Sequence, residues 1–293
     1  MRLQYIPTIP VKRVSQILLF GTVLLTAVSA SAQTTILYDD FSGPFGGING
    51  TTLTTGTGTW SAPSYVGLNG GGKLMTRQGG TSAARSTTYV STTLSSGNIY
   101  ELSVDINGDS PSSTSSQFAG FGFFSTVDRT WTKFDSQSAP ASTPWTYLQT
   151  QSATSLGDMS LRPEGQYIDG YSTIDSNFDV TTSRNYKLIL NTSDTDSETA
   201  GDQFSLALFV DGVQYGTTFT YDSAASAALL SDVVGVGVTA DIASGGSNAF
   251  FDNFLLTATA AVPEPGSFAL LAGFAALTTT LIRNRRNPVS PTT

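Results

Sequence analysis

Through the middle of the chain, apolar residues fall in short runs bounded by Gly, Asn, Asp and Ser. No long stretch there repeats with a 3.6-residue apolar period, so strands are the expected element. The pattern predicts strands near 35–41, 73–77, 85–93, 99–106, 118–125, 147–151, 167–173, 185–191, 204–210, 213–221, 233–240 and 249–258. Strands at this spacing predict an all-β fold, a single antiparallel β-sandwich. The clearest local signal is a hairpin, in which Phe204–Val210 runs through Asp211-Gly212 into Val213-Gln214-Tyr215. An Asp-Gly pair suits a type I′ turn, which needs positive φ at both central residues. Tyr186, Leu188 and Leu190 share one apolar face and are expected to lie beside it. Only Ser223–Leu230, rich in alanine, predicts a helix, of about two turns.

Both ends of the chain depart from this pattern. Arg2, Lys12 and Arg13 precede an apolar run, Ile17–Val28, and Ala30-Ser31-Ala32 follows as an A-x-A cleavage site. Residues 1–32 therefore read as a signal peptide, a short N-terminal helix taken by the Sec translocon and cut by signal peptidase. A retained membrane helix is the alternative. At the other end stand Val262, Pro263, Glu264 and Pro265, then an apolar run from Ser267 to Ile282, then Arg283, Arg285 and Arg286. The prolines exclude helix before the run, and the arginines favour the cytoplasmic side after it. A transmembrane helix over the run would span about 24 Å, less than a hydrocarbon core of about 30 Å, which makes a marginal anchor. This order of motif, span and basic stop resembles the PEP-CTERM sorting signal over 262–286, with 287–293 a polar tail. The resemblance implies recognition of the Pro-Glu-Pro motif by the membrane protease-transpeptidase exosortase, transient inner-membrane anchoring, and delivery to the cell surface or extracellular matrix. A permanent C-terminal anchor is the alternative.

The domain between these ends is 33–261. Eight Lys and Arg stand there against twenty-one Asp and Glu, a formal charge of −13. Such a surface repels nucleic acid and anionic lipid, so neither is an expected partner. The chain has no cysteine and no histidine. Disulfides, Ser-His-Asp and Cys-His catalysis and His-ligated zinc are thereby removed.

A second resemblance rests on Leu37-Tyr38-Asp39-Asp40-Phe41, on Val210-Asp211-Gly212-Val213 and on Phe250-Phe251-Asp252-Asn253-Phe254-Leu255-Leu256. These segments look like the concanavalin A-like lectin and glucanase jelly roll. In that superfamily the first and last strands commonly lie side by side, which implies that Asp39 and Asp40 approach Asp252. With Asn253 they could then hold a structural Ca²⁺, which needs six to eight oxygen ligands. The competing reading is that these acids cap strand ends and accept backbone N–H bonds. A second acidic run, Asp194, Asp196, Glu198 and Asp202, lacks the glycine and terminal glutamate of an EF-hand and reads as a solvated connection.

Glycan binding needs aromatic rings with polar neighbours. Trp131, Trp145, Tyr147, Tyr167 and Tyr171 lie in one irregular segment among Asp135, Gln149, Arg162, Glu164, Asp169 and Asp175. That segment is where a ligand is expected, although each ring could equally fill the core. Glycoside hydrolysis needs two carboxylates flanking the bond. The jelly-roll glucanases carry closely spaced acids on one strand, and this chain has no such run, Glu164 with Asp169 being the nearest pair. The expectation is a non-enzymatic exported protein with a structural or adhesive role in an extracellular polysaccharide or biofilm layer. A lectin-like carbohydrate-binding module is the alternative, and a polysaccharide hydrolase or lyase stands behind it.

Overall fold

A computed structural model of the chain describes residues 32–76, 84–108, 118–124, 143–150, 156–164, 174–193, 203–242 and 249–261. Residues 33–261 belong to one compact unit, a sandwich of two antiparallel sheets. The ten-stranded sheet contains both terminal strands of the unit. Its path runs β14 (Val213–Thr220), β13 (Ser205–Val210), β12 (Arg184–Asn191), β7 (Asn98–Gly108), β16 (Ala249–Ala260), β5 (Leu74–Met75), β4 (Gly67–Leu68), β2 (Gly46–Gly47), while β1 (Gln33–Asp39) pairs with β16 and with β3 (Thr55–Gly56). The six-stranded sheet runs β11 (Asp175–Asp179), β10 (Leu156–Arg162), β9 (Trp145–Thr150), β8 (Phe118–Phe124), β15 (Gly235–Ile242), β6 (Ala84–Ser91).

The expected hairpin is present. Asp211 and Gly212 have φ of 49° and 80°, and Val210 pairs with Val213 across them. Tyr186, Leu188 and Leu190 are buried on β12, which pairs with β13. The first and last strands lie side by side, with Asp39 opposite Phe254. Helix α1 (Ser223–Asp232) starts where alanine propensity places it, and the Asp222 carboxylate caps it by accepting from Ala225 N–H at 2.8 Å.

Five strands were not expected: β2, β3, β4, β10 and β11. Three of these have two residues each, too short to show a period. Strand β10 is different. Its core face, Gly157, Met159 and Leu161, is buried against half-buried Asp158 and Arg162, but only two large apolar residues mark that alternation in the sequence. The strand expected at 167–173 lies outside the described residues. So do 1–31 and 262–293, which hold the signal peptide and the sorting tail. Among the described residues no helix is long and apolar enough to cross a membrane.

One core fills the space between the sheets. Leu102, Val104, Leu188, Leu208 and Phe251 face it from the ten-stranded sheet, and Phe121, Phe123, Leu148, Met159, Leu161, Val236 and Val238 from the six-stranded sheet. Trp60, from the segment between β3 and β4, closes one side. It packs against Phe41 and Phe254 with ring centroids 5.5 and 5.3 Å away.

Candidate functional site

Because side chains alternate across a strand, the same register that turns Phe121 and Phe123 into the core turns Gly120, Gly122 and Phe124 to the outer face of the six-stranded sheet. On the neighbouring strand β15, Gly235, Gly237 and Thr239 take that face. Pairing then aligns Tyr89, Gly237, Gly122, Trp145 and Arg162 in one row across five strands. The adjacent row is Thr87, Thr239, Gly120, Tyr147 and Ser160. Two adjoining strands thus carry Gly120, Gly122, Gly235 and Gly237, all buried, with Tyr89 on one flank and Trp145 and Tyr147 on the other. At about 4.8 Å per strand the flanks stand about 14 Å apart.

The glycines are required by how closely these strands and rings approach. A Cβ on Gly122 would stand 2.6 Å from the Pro144 carbonyl oxygen and the Trp145 Cα, and one on Gly237 would stand 2.7 Å from the Tyr89 Cα. The flanking rings are organised in turn. Trp145 and Tyr147 stack at 5.0 Å with 29° between their planes, and Tyr89 lies 6.3 Å from Phe124. Arg162 donates from Nη2 to the Tyr147 hydroxyl at 3.0 Å, with its guanidinium carbon 5.5 Å from that ring's centroid. Thr87 and Thr239 bring their hydroxyls within 3.3 Å of each other. Trp145 and Phe124 are buried yet lie outside the central core, while Tyr89, Tyr147, Gln149, Asp158 and Arg162 are half-buried. The half-exposed part of this face thus combines the rings of Tyr89 and Tyr147 with the polar groups of Gln149, Asp158 and Arg162, a mixture that suits a ligand with both C–H faces and hydroxyl groups.

With this geometry in hand, solved structures give the comparison that decides the architecture. The endo-1,3-beta-glucanase from Streptomyces sioyaensis aligns with a TM-score of 0.51 at 13% identity, over 80% of this chain and 99% of that one. The fold is an antiparallel β-sandwich shared with that glucanase. Looser matches include a protein described with the endo-acting O-glycanases of the human gut microbiota, with a TM-score of 0.46, 11% identity and coverage of 76% of this chain and 98% of that one. Another is the Lotus tetragonolobus seed lectin, with a TM-score of 0.40, 12% identity and coverage of 73% and 97%. No family model and no curated protein matches the chain.

On this sandwich the acids considered for Ca²⁺ are used differently from one another. Asp39 turns inward, where its carboxylate accepts from Trp60 Nε1–H at 2.6 Å and from Phe41 N–H at 2.8 Å. Burial pushes its pKa up, against the pull of those hydrogen bonds. Asp40 stays outside and accepts from the Ser42 hydroxyl, the Ser42 N–H and Thr54, which hold its pKa down. Asp252 stands opposite Asp105 on β7, and burial raises its pKa. Asn253, at φ 50° in a bulge, donates from Nδ2 to Asp105 at 2.8 Å. Pairing of the terminal strands thus brings the four residues to one end of the sheet but turns Asp39 and Asp252 to opposite faces. Among the described residues no group of three or more acids could hold a metal ion.

Of the aromatic segment, Trp145 and Tyr147 come together on the outer face of the six-stranded sheet, while Trp131, Tyr167 and Tyr171 lie outside the described residues. Asp169, the Asp194 to Asp202 run, Val262 to Pro265 and Arg283, Arg285 and Arg286 lie outside them too. Glu164 follows β10, and its pKa is raised by burial first and by Asp222 second. Tyr89, Thr87, Thr239 and the four glycines were not expected in the site. A signal for the glycines was present: Gly120-Phe121-Gly122 and Gly235-Val236-Gly237 are Gly-x-Gly runs inside strands, a mark of close backbone approach.

Proposed function

We propose that this protein is an exported carbohydrate-binding module that holds an extracellular polysaccharide along the outer face of its six-stranded sheet. The observation that carries the reading is the half-exposed Tyr147, stacked on Trp145 and holding the Arg162 guanidinium against its ring, with Gln149 and Asp158 on the same face. Its role is adhesive or structural within a polysaccharide layer, and it is delivered there by the signal peptide and by exosortase acting at Val262, Pro263, Glu264 and Pro265. The Streptomyces neighbour is named for action on a 1,3-β-glucan, which supports a glycan as ligand class.

The binding is non-enzymatic. The chain carries no Glu-x-Asp-x-x-Glu run that would set a pair of acids on one face of a strand. A carboxylate pair for glycoside hydrolysis stands about 5 to 9.5 Å apart. The test is affinity electrophoresis of the full-length protein in detergent against a panel of immobilised polysaccharides. Retardation by at least one polymer is expected, weakened about tenfold or more by Tyr147→Ala, with no reducing sugar released. Free migration through every polymer would overturn the reading. For the sorting step, intact mass in cells with and without exosortase should show loss of the segment after the Pro-Glu-Pro motif only where the protease is present.

A further inference from the structure

The chain contains three Asn-Gly pairs, Asn49-Gly50, Asn69-Gly70 and Asn107-Gly108, and the fold treats them differently. Such a pair can react with itself. Glycine has no Cβ to hinder its amide nitrogen, which can therefore reach the side-chain carbonyl carbon of the asparagine before it. Gly50 is unavailable for this, because its N–H donates to the Trp60 carbonyl at 2.8 Å. Gly108 is held as well, since it ends β7 and pairs with Ala249 on β16. Gly70 is the exception. It lies exposed in the turn between β4 and β5 at φ 74°, and among the described residues its N–H meets no acceptor.

The same turn prepares Asn69 as the electrophile. Its Oδ1 accepts from Gly71 N–H at 2.8 Å and from Lys73 N–H at 3.1 Å, which folds the amide back over the turn. A Cβ on Gly71 would stand 3.5 Å from that oxygen. Two fixed backbone donors on one carbonyl oxygen stabilise the negative charge that develops there when the carbon is attacked. Asn49 Oδ1 has one such donor, Ala62 N–H at 3.1 Å.

We propose that the turn between β4 and β5 is a self-modification site, at which Asn69 converts spontaneously to aspartate and isoaspartate. Gly70 N loses its proton to solvent base and attacks Asn69 Cγ, while Gly71 N–H and Lys73 N–H hold the Oδ1 anion. The Cγ–Nδ2 bond then breaks, Nδ2 takes a proton from water and leaves as ammonia, and a cyclic imide remains. Water opens the imide at either carbonyl carbon, so one ammonia is released for each water consumed. Either product adds a carboxylate to a domain of formal charge −13. Isoaspartate also adds a methylene to the backbone of the turn that sets Leu68 opposite Leu74.

The test incubates the folded full-length protein in detergent at mildly alkaline pH and maps its peptides by mass, with the same chain unfolded in urea alongside. In the folded protein Asn69 should gain the mass of amide-to-acid exchange about tenfold or more faster than Asn49 and Asn107. It should also react faster there than in urea, where the turn is gone. Gly71→Pro, which removes the 2.8 Å donor, should slow Asn69 and leave the other two pairs unchanged. Equal rates at the three pairs in the folded protein, or a faster Asn49 or Asn107, would overturn the proposal. An Asn69 rate no higher than in urea, or one unmoved by Gly71→Pro, would overturn it equally. The wild-type rates decide even if Gly71→Pro does not fold.

Discussion

The two sheets share one core but finish their outer faces in opposite ways. On the ten-stranded sheet the outward side chains answer one another: Lys187 with Glu101, Asn185 and Asn253 with Asp105, Gln33 with Thr257. Donors and acceptors are spent within the sheet. On the six-stranded sheet the adjoining strands β8 and β15 carry Gly120, Gly122, Gly235 and Gly237 where those side chains would stand, with the rings of Phe124, Tyr89, Trp145 and Tyr147 around them. The difference teaches that a sheet can finish a face either with polar side chains that answer one another or with glycine, which lets neighbouring strands and rings close over the backbone.

The largest effect that could break this comparison is on stability. Trp60→Ala removes a buried indole that packs on Phe41 and Phe254 and donates to Asp39, and should cost about 3 to 5 kcal/mol. Trp145→Ala, outside the central core, should cost less while abolishing polysaccharide retardation. Urea midpoints of the two variants check this. Equal losses would make the outer face of the six-stranded sheet part of the core. Next in size is Gly237→Ala, whose new methyl group would press on the Tyr89 backbone, for about 1 to 3 kcal/mol. Gly47→Ala on the ten-stranded sheet meets nothing within 4 Å and should change stability by less than about 0.5 kcal/mol. A sheet that accepts Gly237→Ala as readily as Gly47→Ala would not be closed by strand approach.

The smallest effect is in pH dependence, where one acid from each sheet carries an opposite sign. Asp179, at the end of β11, has its pKa lowered to about 2 by the hydroxyls of Thr182 and Thr181. Its contribution is present above the ordinary carboxylate range and is lost as pH falls through about 2. Asp39 has its pKa raised by burial, so the folded state binds its proton first and stability rises as pH falls through that raised value. Unfolding midpoints measured from pH 7 to 2 should therefore show a gain followed by a loss, and Asp179→Asn should flatten the acid limb alone. A wild-type profile that falls steadily from pH 7 would show that the Asp39 gain is too small to offset the other carboxylates.

Much of the fold was readable because its signals are local. Asp211-Gly212 specifies its own turn, Tyr186, Leu188 and Leu190 specify a buried face, and the alanines of 223–230 specify a helix. Strand β10 was hard to read, since its alternation rests on only two large apolar residues, Met159 and Leu161. The site was readable in part. Trp145 and Tyr147 declare themselves as aromatics in an irregular segment, but Tyr89 lies 56 residues before Trp145 and reaches the same row only through two intervening strands.

Strand content, the hairpin and the exclusion of histidine and cysteine chemistry belong to the sequence alone, because each depends on residue type or on neighbours a few positions away. Tertiary structure decided the rest. Whether Asp39 would ligate a cation or accept from a buried tryptophan depended on which face pairing with β16 turned it toward. Whether four separated glycines would be loop residues or points of close strand approach depended on β8 and β15 becoming neighbours. Both are outcomes of long-range strand register, which no local pattern encodes.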